Sequence, residues 1–328
     1  MKKLIPVLLL LIVSCQLLFA ENAFAQEKAF SLGIYPPISE ISTNPPGPID
    51  STITIQNQSD NDQKINVQYK PFEANNDGSI KYIPDDQIQA PYKQIFSSIK
   101  ILDGEDEVSQ ISLKPFEAKN LTAHFDLNKD TPRGEYYFSI IFMSSNSEQL
   151  SNSGSAIPGG IATNILLTVG EKGPSTAKIV KLVTPSFLSH GPVPITLLVE
   201  NTSKHFITPT GRISIYDMFG KEIGREEVLP QYILPDASRY LIDENQASPS
   251  ASLIEDLGKV NYHNPIIMWP EKFLFGIYTI KAVIRTSTTG QTLQAQTTLI
   301  ALPVYIFFAL SFFIFILAGI YLRLRKKI

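Results

Sequence analysis

The sequence predicts an all-β fold class: two antiparallel β-sandwich domains followed by one transmembrane α-helix. Three observations predict it. Short runs rich in branched residues alternate between apolar and polar positions along residues 26–300, with no sustained helical period. Twenty-three prolines and 18 glycines interrupt those runs, as expected where sandwich strands are joined by frequent turns. The third is Pro303–Leu322, an uncharged stretch of Phe, Ile and Leu long enough to cross the hydrocarbon of a bilayer.

At the N-terminus, Met1-Lys2-Lys3 precede an apolar run from Leu4 to Val13, and Ala23-Phe24-Ala25 offers a small-x-small cleavage site before Gln26. This pattern marks residues 1–25 as a secretory signal peptide. Ile12-Val13-Ser14-Cys15 also loosely resembles a lipobox, which would make Cys15 a lipidated terminus, but the apolar run continues past it. At the other end, Tyr305 and Tyr321 sit where aromatic rings favour the membrane interface. Arg323, Arg325, Lys326 and Lys327 follow at once, and such residues stay in the cytoplasm. The expected topology is single-pass in the cell membrane. Residues 301–322 span it, 323–328 form a basic cytoplasmic tail, and the domains lie outside the cell.

Cys15 is the chain's one cysteine. Its loss with the signal leaves no thiol or disulfide in the exported part, which leans towards a bacterial surface protein. The formal net charge of the whole chain is −3, and setting aside the basic ends makes the exported part more acidic still. That excludes nucleic acid as a partner held by bulk attraction.

The expected domain break is the polar, Gly/Pro-bearing Glu171-Lys172-Gly173-Pro174-Ser175-Thr176, giving a first domain at 26–171, a linker at 172–176 and a second domain at 177–300. Leu121, Ala123, Phe125 and Leu127 alternate in "NLTAHFDL", and "EYYFSIIFM" (135–143) is apolar on both faces, as a central strand should be. In the second half, "ITLLVEN", "GRISIYD" and "IYTIKAVIR" alternate in the same way. One modest helix is expected at 251–259, "ASLIEDLGK". The two halves also share landmarks. Each has a strand ending in Asn-x-Ser (Asn57, Asn201), a Pro-led turn (Pro115, Pro235) and a late strand opened by Gly-x-Tyr (Gly134, Gly276). "ITIQNQSDNDQKINVQY" (53–69) therefore reads as a hairpin with a polar loop. Asp60 and Asp62 alternate as calcium ligands would, but position 64 is Lys and no distal Glu follows.

Taken together, "FSLGIYPP", "STITIQNQSDNDQKINVQY", "EANNDGSIKY", "PRGEYYFSIIF" and "GGIATNILLTV" resemble, in this order, the WxL-interacting surface proteins of Gram-positive bacteria. The resemblance implies a signal peptide, two immunoglobulin-like domains, a membrane helix and a basic tail. It also implies a first domain associated with peptidoglycan and a second with host or partner binding. The second half matches through "FLFGIYTIKAVI" alone, and no catalytic residue carries over. More broadly, "LKPFEAKNLTAHFDL" with "GEYYFSIIF" is similar to the N-terminal domain of pilus-type chaperones and other exported immunoglobulin-like domains.

Chemistry-bearing motifs are few. No Gly-x-Ser-x-Gly, His-Glu-x-x-His or Cys-x-x-Cys occurs, and the histidines are four: His124, His190, His205 and His263. His124 falls on the polar face of its strand. Asp85-Asp86 and Glu105-Asp106-Glu107 read as solvated turn acids rather than a glycosidase pair. No catalytic, metal or cofactor site is expected. One segment, "NYHNPIIMWP", could form a partner patch from Tyr262, Ile266, Met268 and Trp269 if exposed; packed on its own sandwich, it would be core. Asn57, Asn120 and Asn201 each begin an Asn-x-Ser/Thr sequon, read here as turn formers. The expected function is a non-enzymatic, membrane-anchored surface protein that binds or presents a cell-wall glycan or another surface protein, with lipid touched through the C-terminal helix. The alternative is a chaperone-like accessory factor for assembling other exported proteins.

Overall fold

The computed structural model describes residues 31–75, 79–145, 159–243, 266–287 and 290–325. The signal peptide with Cys15, the helix expected at 251–259, Tyr262, His263, Lys326 and Lys327 lie outside the described residues.

The first half runs through β1 (Leu32–Tyr35), β2 (Ile38–Thr43), β3 (Gly47–Asn57), β4 (Gln63–Ala74) and β5 (Ile80–Tyr82). Helix α1 (Ala90–Ser97) comes next, then β6 (Ile99–Asp103), β7 (Asp106–Glu107), β8 (Gln110–Leu113), β9 (Ala118–Leu127), β10 (Gly134–Ser144) and β11 (Gly160–Val169). One sheet has the order β1-β3-β9-β6-β7; the other has β2-β11-β10-β4-β5, with β8 also on β4. The period-2 pattern decides what faces inward. Ile53 and Ile55 of β3 and Leu121, Ala123 and Phe125 of β9 are fully buried, opposed by Phe138, Ile140 and Phe142 of β10. As expected of a central strand, β10 is buried at seven of its eleven residues, on both faces.

After the coil at 171–176 the second half repeats the plan. It comprises β12 (Ala177–Val183), β13 (Phe187–Leu188), β14 (Val193–Asn201), β15 (Thr210–Tyr216), β16 (Glu222–Val228), β17 (Ser238–Tyr240), β18 (Ile267–Trp269), β19 (Gly276–Arg285) and β20 (Thr292–Ala301). Its sheets are β12-β14-β17, with β18 also on β14, and β13-β20-β19-β15-β16. In both halves the first strand pairs antiparallel in one sheet, and the short strand after it crosses to run parallel to the last strand of the other.

The Asn-x-Ser stretch is not a hairpin. β3 and β4 belong to opposite sheets, so residues 58–62 arch across the core rather than turn back within one sheet. The reason lies in Asn57, which is fully buried. Its side-chain amide donates to the carbonyls of Asn61 (2.6 Å) and Lys114 (2.9 Å), while its oxygen accepts from the Ser59 amide (3.0 Å) and hydroxyl (2.7 Å). Asn201 does the same in the second half, reaching His205 O (2.8 Å) and Ile233 O (2.9 Å) and accepting from Ser203. In these two sequons the asparagine is thus an internal tie, out of reach of any modification.

The other two landmarks repeat as well. Phe116 and Asp236, each following its proline, take positive φ in turns closed by Glu117 N–H to Lys114 O and Ala237 N–H to Leu234 O. The Tyr136 hydroxyl donates to Pro132 O, and the Tyr278 hydroxyl to Phe275 O. This is the back-bonded tyrosine of a sandwich corner.

Helix α2 (Val304–Arg325) follows β20. Its 22 residues rise about 33 Å. Taken over its described residues alone, no helix is long and apolar enough to cross a membrane. The continuous sequence from Pro303 to Leu322 nevertheless carries no charge. Arg323 is exposed and Arg325 ends the helix.

Candidate functional site

The described residues of the segment that could form a partner patch if exposed are mostly core. Ile266 and Trp269 are buried and Met268 half-buried. β18 pairs with the start of β14, which turns the indole inward. There it meets Tyr278 edge-on at 5.8 Å and lies against Gly224, where a Cβ would fall within 2.4 Å of its nitrogen.

The three described histidines are not brought together. His124 pairs with Asp50 across β3 and β9 at 2.6 Å, on the outer face. His190 contacts Ser189, its neighbour in sequence. His205 is buried, with Nε2 3.0 Å from the Ser175 hydroxyl. That serine also receives the Thr286 hydroxyl on its carbonyl (3.0 Å), so the pair pins the linker to the second sandwich. Among the described residues no group of three His, Cys, Asp or Glu could hold a metal ion, and Asp60 and Asp62 sit on the arch between sheets.

Two features stand out instead. The first is the junction between the sandwiches. Phe72, Tyr137, Phe206 and Tyr232 form an aromatic chain across it, with centroids 6.5, 6.4 and 5.8 Å apart. The Tyr137 hydroxyl donates to Glu135 (3.2 Å) and accepts from Phe206 N–H (3.1 Å), so one phenol ties both halves. The Lys172 ammonium lies 3.6 Å over the Phe206 ring, a cation–π contact. Burial and the neighbouring Glu40, which accepts its hydrogen bond, push the Tyr232 hydroxyl up to about 12. Beside this chain runs a cleft of about 670 Å³, with Tyr92, Arg133 and Glu135 on one wall and Pro235 and Asp236 on the other.

Burial holds the Glu135 carboxyl above its ordinary 4.5, against the opposing pull of the Thr168 hydroxyl, the Lys172 charge and Tyr137. Burial, with Lys172, lowers His205 below 6.5. The signs are opposite. A raised acid favours the folded state below pH 4.5, and that stability is lost as pH rises through the folded value. A lowered histidine contributes stability above 6.5 and loses it as pH falls. Glu135→Gln keeps the hydrogen-bond acceptor and removes the charge. The variant should lose less stability than the parent between pH 4.5 and 7, measured by urea midpoint at each pH. His205 is common to both proteins, so the difference isolates Glu135; parallel profiles would refute it.

The second feature is an open sheet edge. β20 pairs with β19 along all ten residues, but on its other side β13 meets only Ile300 and Ala301. In the first half β2 covers six residues of the equivalent β11. Ile300 N–H and Leu302 N–H donate towards β13. Backbone groups alternate sides along a strand, so those of Gln294, Gln296 and Thr298 point the same way, away from β19. All three side chains are exposed, and no strand among the described residues pairs there. Sequence reasoning had no access to this, because it depends on where β13 stops.

No family model matches the chain, and no curated protein matches it. Among solved structures, the E. coli chaperone DraB is similar at 12% identity and a TM-score of 0.34, over 82% of this chain and 98% of that one. The SafB chaperone of Salmonella enterica, solved with the SafA pilin, stands at 11% and 0.36 over 82% and 98%. The class 5 fimbriae chaperone CfaA stands at 12% and 0.35 over 82% and 99%. These values are too low to carry a function from one protein to another.

Proposed function

We propose that the chain is an exported, non-enzymatic accessory protein, tethered to the cell membrane by α2, that binds a segment of another exported polypeptide. The observation that carries this reading is the open edge of β20. Unpaired backbone on an exposed strand is a template for strand addition, and the outward groups of Gln294, Gln296 and Thr298 supply three donors and three acceptors in register. The uncharged run through α2 and the basic Arg323 and Arg325 after it support the tether, with the sandwiches on the outer side. Two immunoglobulin-like domains, 26–171 and 177–300, are the units proposed. A polypeptide partner is favoured over a wall glycan because the open edge offers main-chain groups in strand register.

The test uses the full chain in its membrane. A photo-crosslinker at position 294 should capture an exported polypeptide. Gln296→Pro removes one outward N–H, at a place where an edge strand tolerates proline, and should abolish capture while the protein still accumulates. Thr297→Pro, whose N–H pairs with β19, should instead prevent folding. Capture that survives Gln296→Pro, or capture of glycan alone, would overturn the reading.

A further inference from the structure

An apolar cluster lies at one end of the second sandwich. Phe187, Phe219, Phe273, Phe275, Ile277 and Ile300 are all at least half exposed, Phe219 at 87%. They converge through the topology. Ile300 is the cross-strand neighbour of both Ile277 and Phe187, so the three form one row on the outer face of the sheet. Phe275 directly precedes β19. Phe219 sits in the β15–β16 turn, whose Met218 methyl comes within 2.1 Å of a Cβ placed on Gly276. This is the end from which α2 departs.

The turns are built to hold their rings out. The Asp217 carboxylate accepts from the Phe219 and Lys221 amides, both at 2.9 Å. The Glu271 carboxylate accepts from the Lys272 and Phe273 amides at 3.1 and 3.2 Å. Each acid is spent on its own turn, leaving an exposed phenylalanine with a lysine close by. Among the described residues neither Lys221 nor Lys272 enters an ion pair. Nor is there slack before the helix. Leu302 N–H still bonds Leu188 O at 3.0 Å, Pro303 is buried, and α2 begins at Val304.

The geometry points to this end as a membrane-docking surface: the Phe219 and Phe273 turns and the Phe187–Ile300–Ile277 row seat in the outer leaflet's interface. Phenylalanine enters the boundary between headgroups and acyl chains while lysine stays with anionic headgroups. The occupant is lipid because the anchor leaves from the middle of the patch without a stalk, so the bilayer is the surface nearest to it. The inference rests on α2 being a membrane anchor, and extends it: the second sandwich is clamped to the membrane, standing at a fixed height and tilt with the β20 edge above it.

The test uses the full chain, in a Cys15→Ser background, reconstituted in phosphatidylcholine–phosphatidylglycerol vesicles. An environment-sensitive fluorophore is attached through Phe219→Cys, Phe273→Cys, Phe315→Cys or Phe116→Cys, one at a time. Positions 219 and 273 should be blue-shifted and quenched by lipid brominated near the headgroup, 315 by lipid brominated deep in the chains, and 116, on the first sandwich, by neither. Quenching at 315 without quenching at 219 and 273 overturns the docking and keeps the anchor. No quenching at 315 removes the anchor as well. Quenching at 116 equal to that at 219 overturns the docking as specific to this end.

Discussion

Asn57→Ala should cost the first sandwich about 3 kcal/mol, because it removes four hydrogen bonds of one buried side chain at once. The side chain makes four hydrogen bonds at zero exposure: two donated to main-chain carbonyls, two accepted from Ser59. Truncation takes one donor each from Asn61 O and Lys114 O and leaves the Ser59 amide without its acceptor, while Glu117 N–H still reaches Lys114 O and the Ser59 hydroxyl still reaches Asn61 O. The acceptors matter most, since they tie the arch to the turn before β9. Asn201→Ala should weaken the second sandwich to a similar degree, because its partners match one for one. Asn57→Asp separates shape from donors. It keeps the outline and the bonds from Ser59, yet turns a carboxylate towards two carbonyl oxygens, and should be at least as damaging as alanine. Urea midpoints of the three variants check this. A loss under about 1 kcal/mol for both alanine variants, the level of one ordinary hydrogen bond, would show that the tie is dispensable.

These asparagines also show how far the sequence could be read. That 53–57 and 65–69 are strands was visible in their alternation, and the repeat of Asn-x-Ser, the Pro-led turn and Gly-x-Tyr in both halves was visible as spacing. What could not be read was which sheet each strand joins. A hairpin and an arch between sheets leave the same alternating trace, and only the long-range partners of Asn57, at Lys114, distinguish them. For the same reason the sequence left Trp269 open between a partner patch and the core. Its burial depends on Gly224, 45 positions earlier, leaving room for an indole. The open β20 edge is a third case. It arises because β13 is two residues long where β2 is six, and nothing in "SFLSH" announces where pairing ends. The exposed phenylalanines at 219, 273 and 275 were there to be seen, but gained meaning once the strands placed them around the start of α2.

Phe138→Ala should cost about 3–5 kcal/mol, and how that loss divides between the halves will test whether they unfold separately. Phe138 is fully buried on the central strand of its sheet, between Ile165 and Pro71. Its ring meets Phe96 edge-on at 5.3 Å and Phe125 at 6.5 Å. The rigid strands around it cannot close over the void, which places the loss at the high end for a core truncation. A natural reporter lies in the other half, because Trp269 is the chain's only tryptophan and is buried in the second sandwich. Circular dichroism follows both halves; tryptophan emission follows one. In Phe138→Ala the dichroism midpoint should fall sharply in urea, while the emission midpoint moves only by what the junction transmits. That share runs through Tyr137, the next residue along β10, whose hydroxyl holds Phe206 N–H. Tyr137→Phe removes the bond and keeps the ring, so adding it to Phe138→Ala should abolish the residual shift in emission. If the emission midpoint instead falls as far as the dichroism midpoint, the two sandwiches form one cooperative unit, and the linker at 172–176 is a crossing point within a single core.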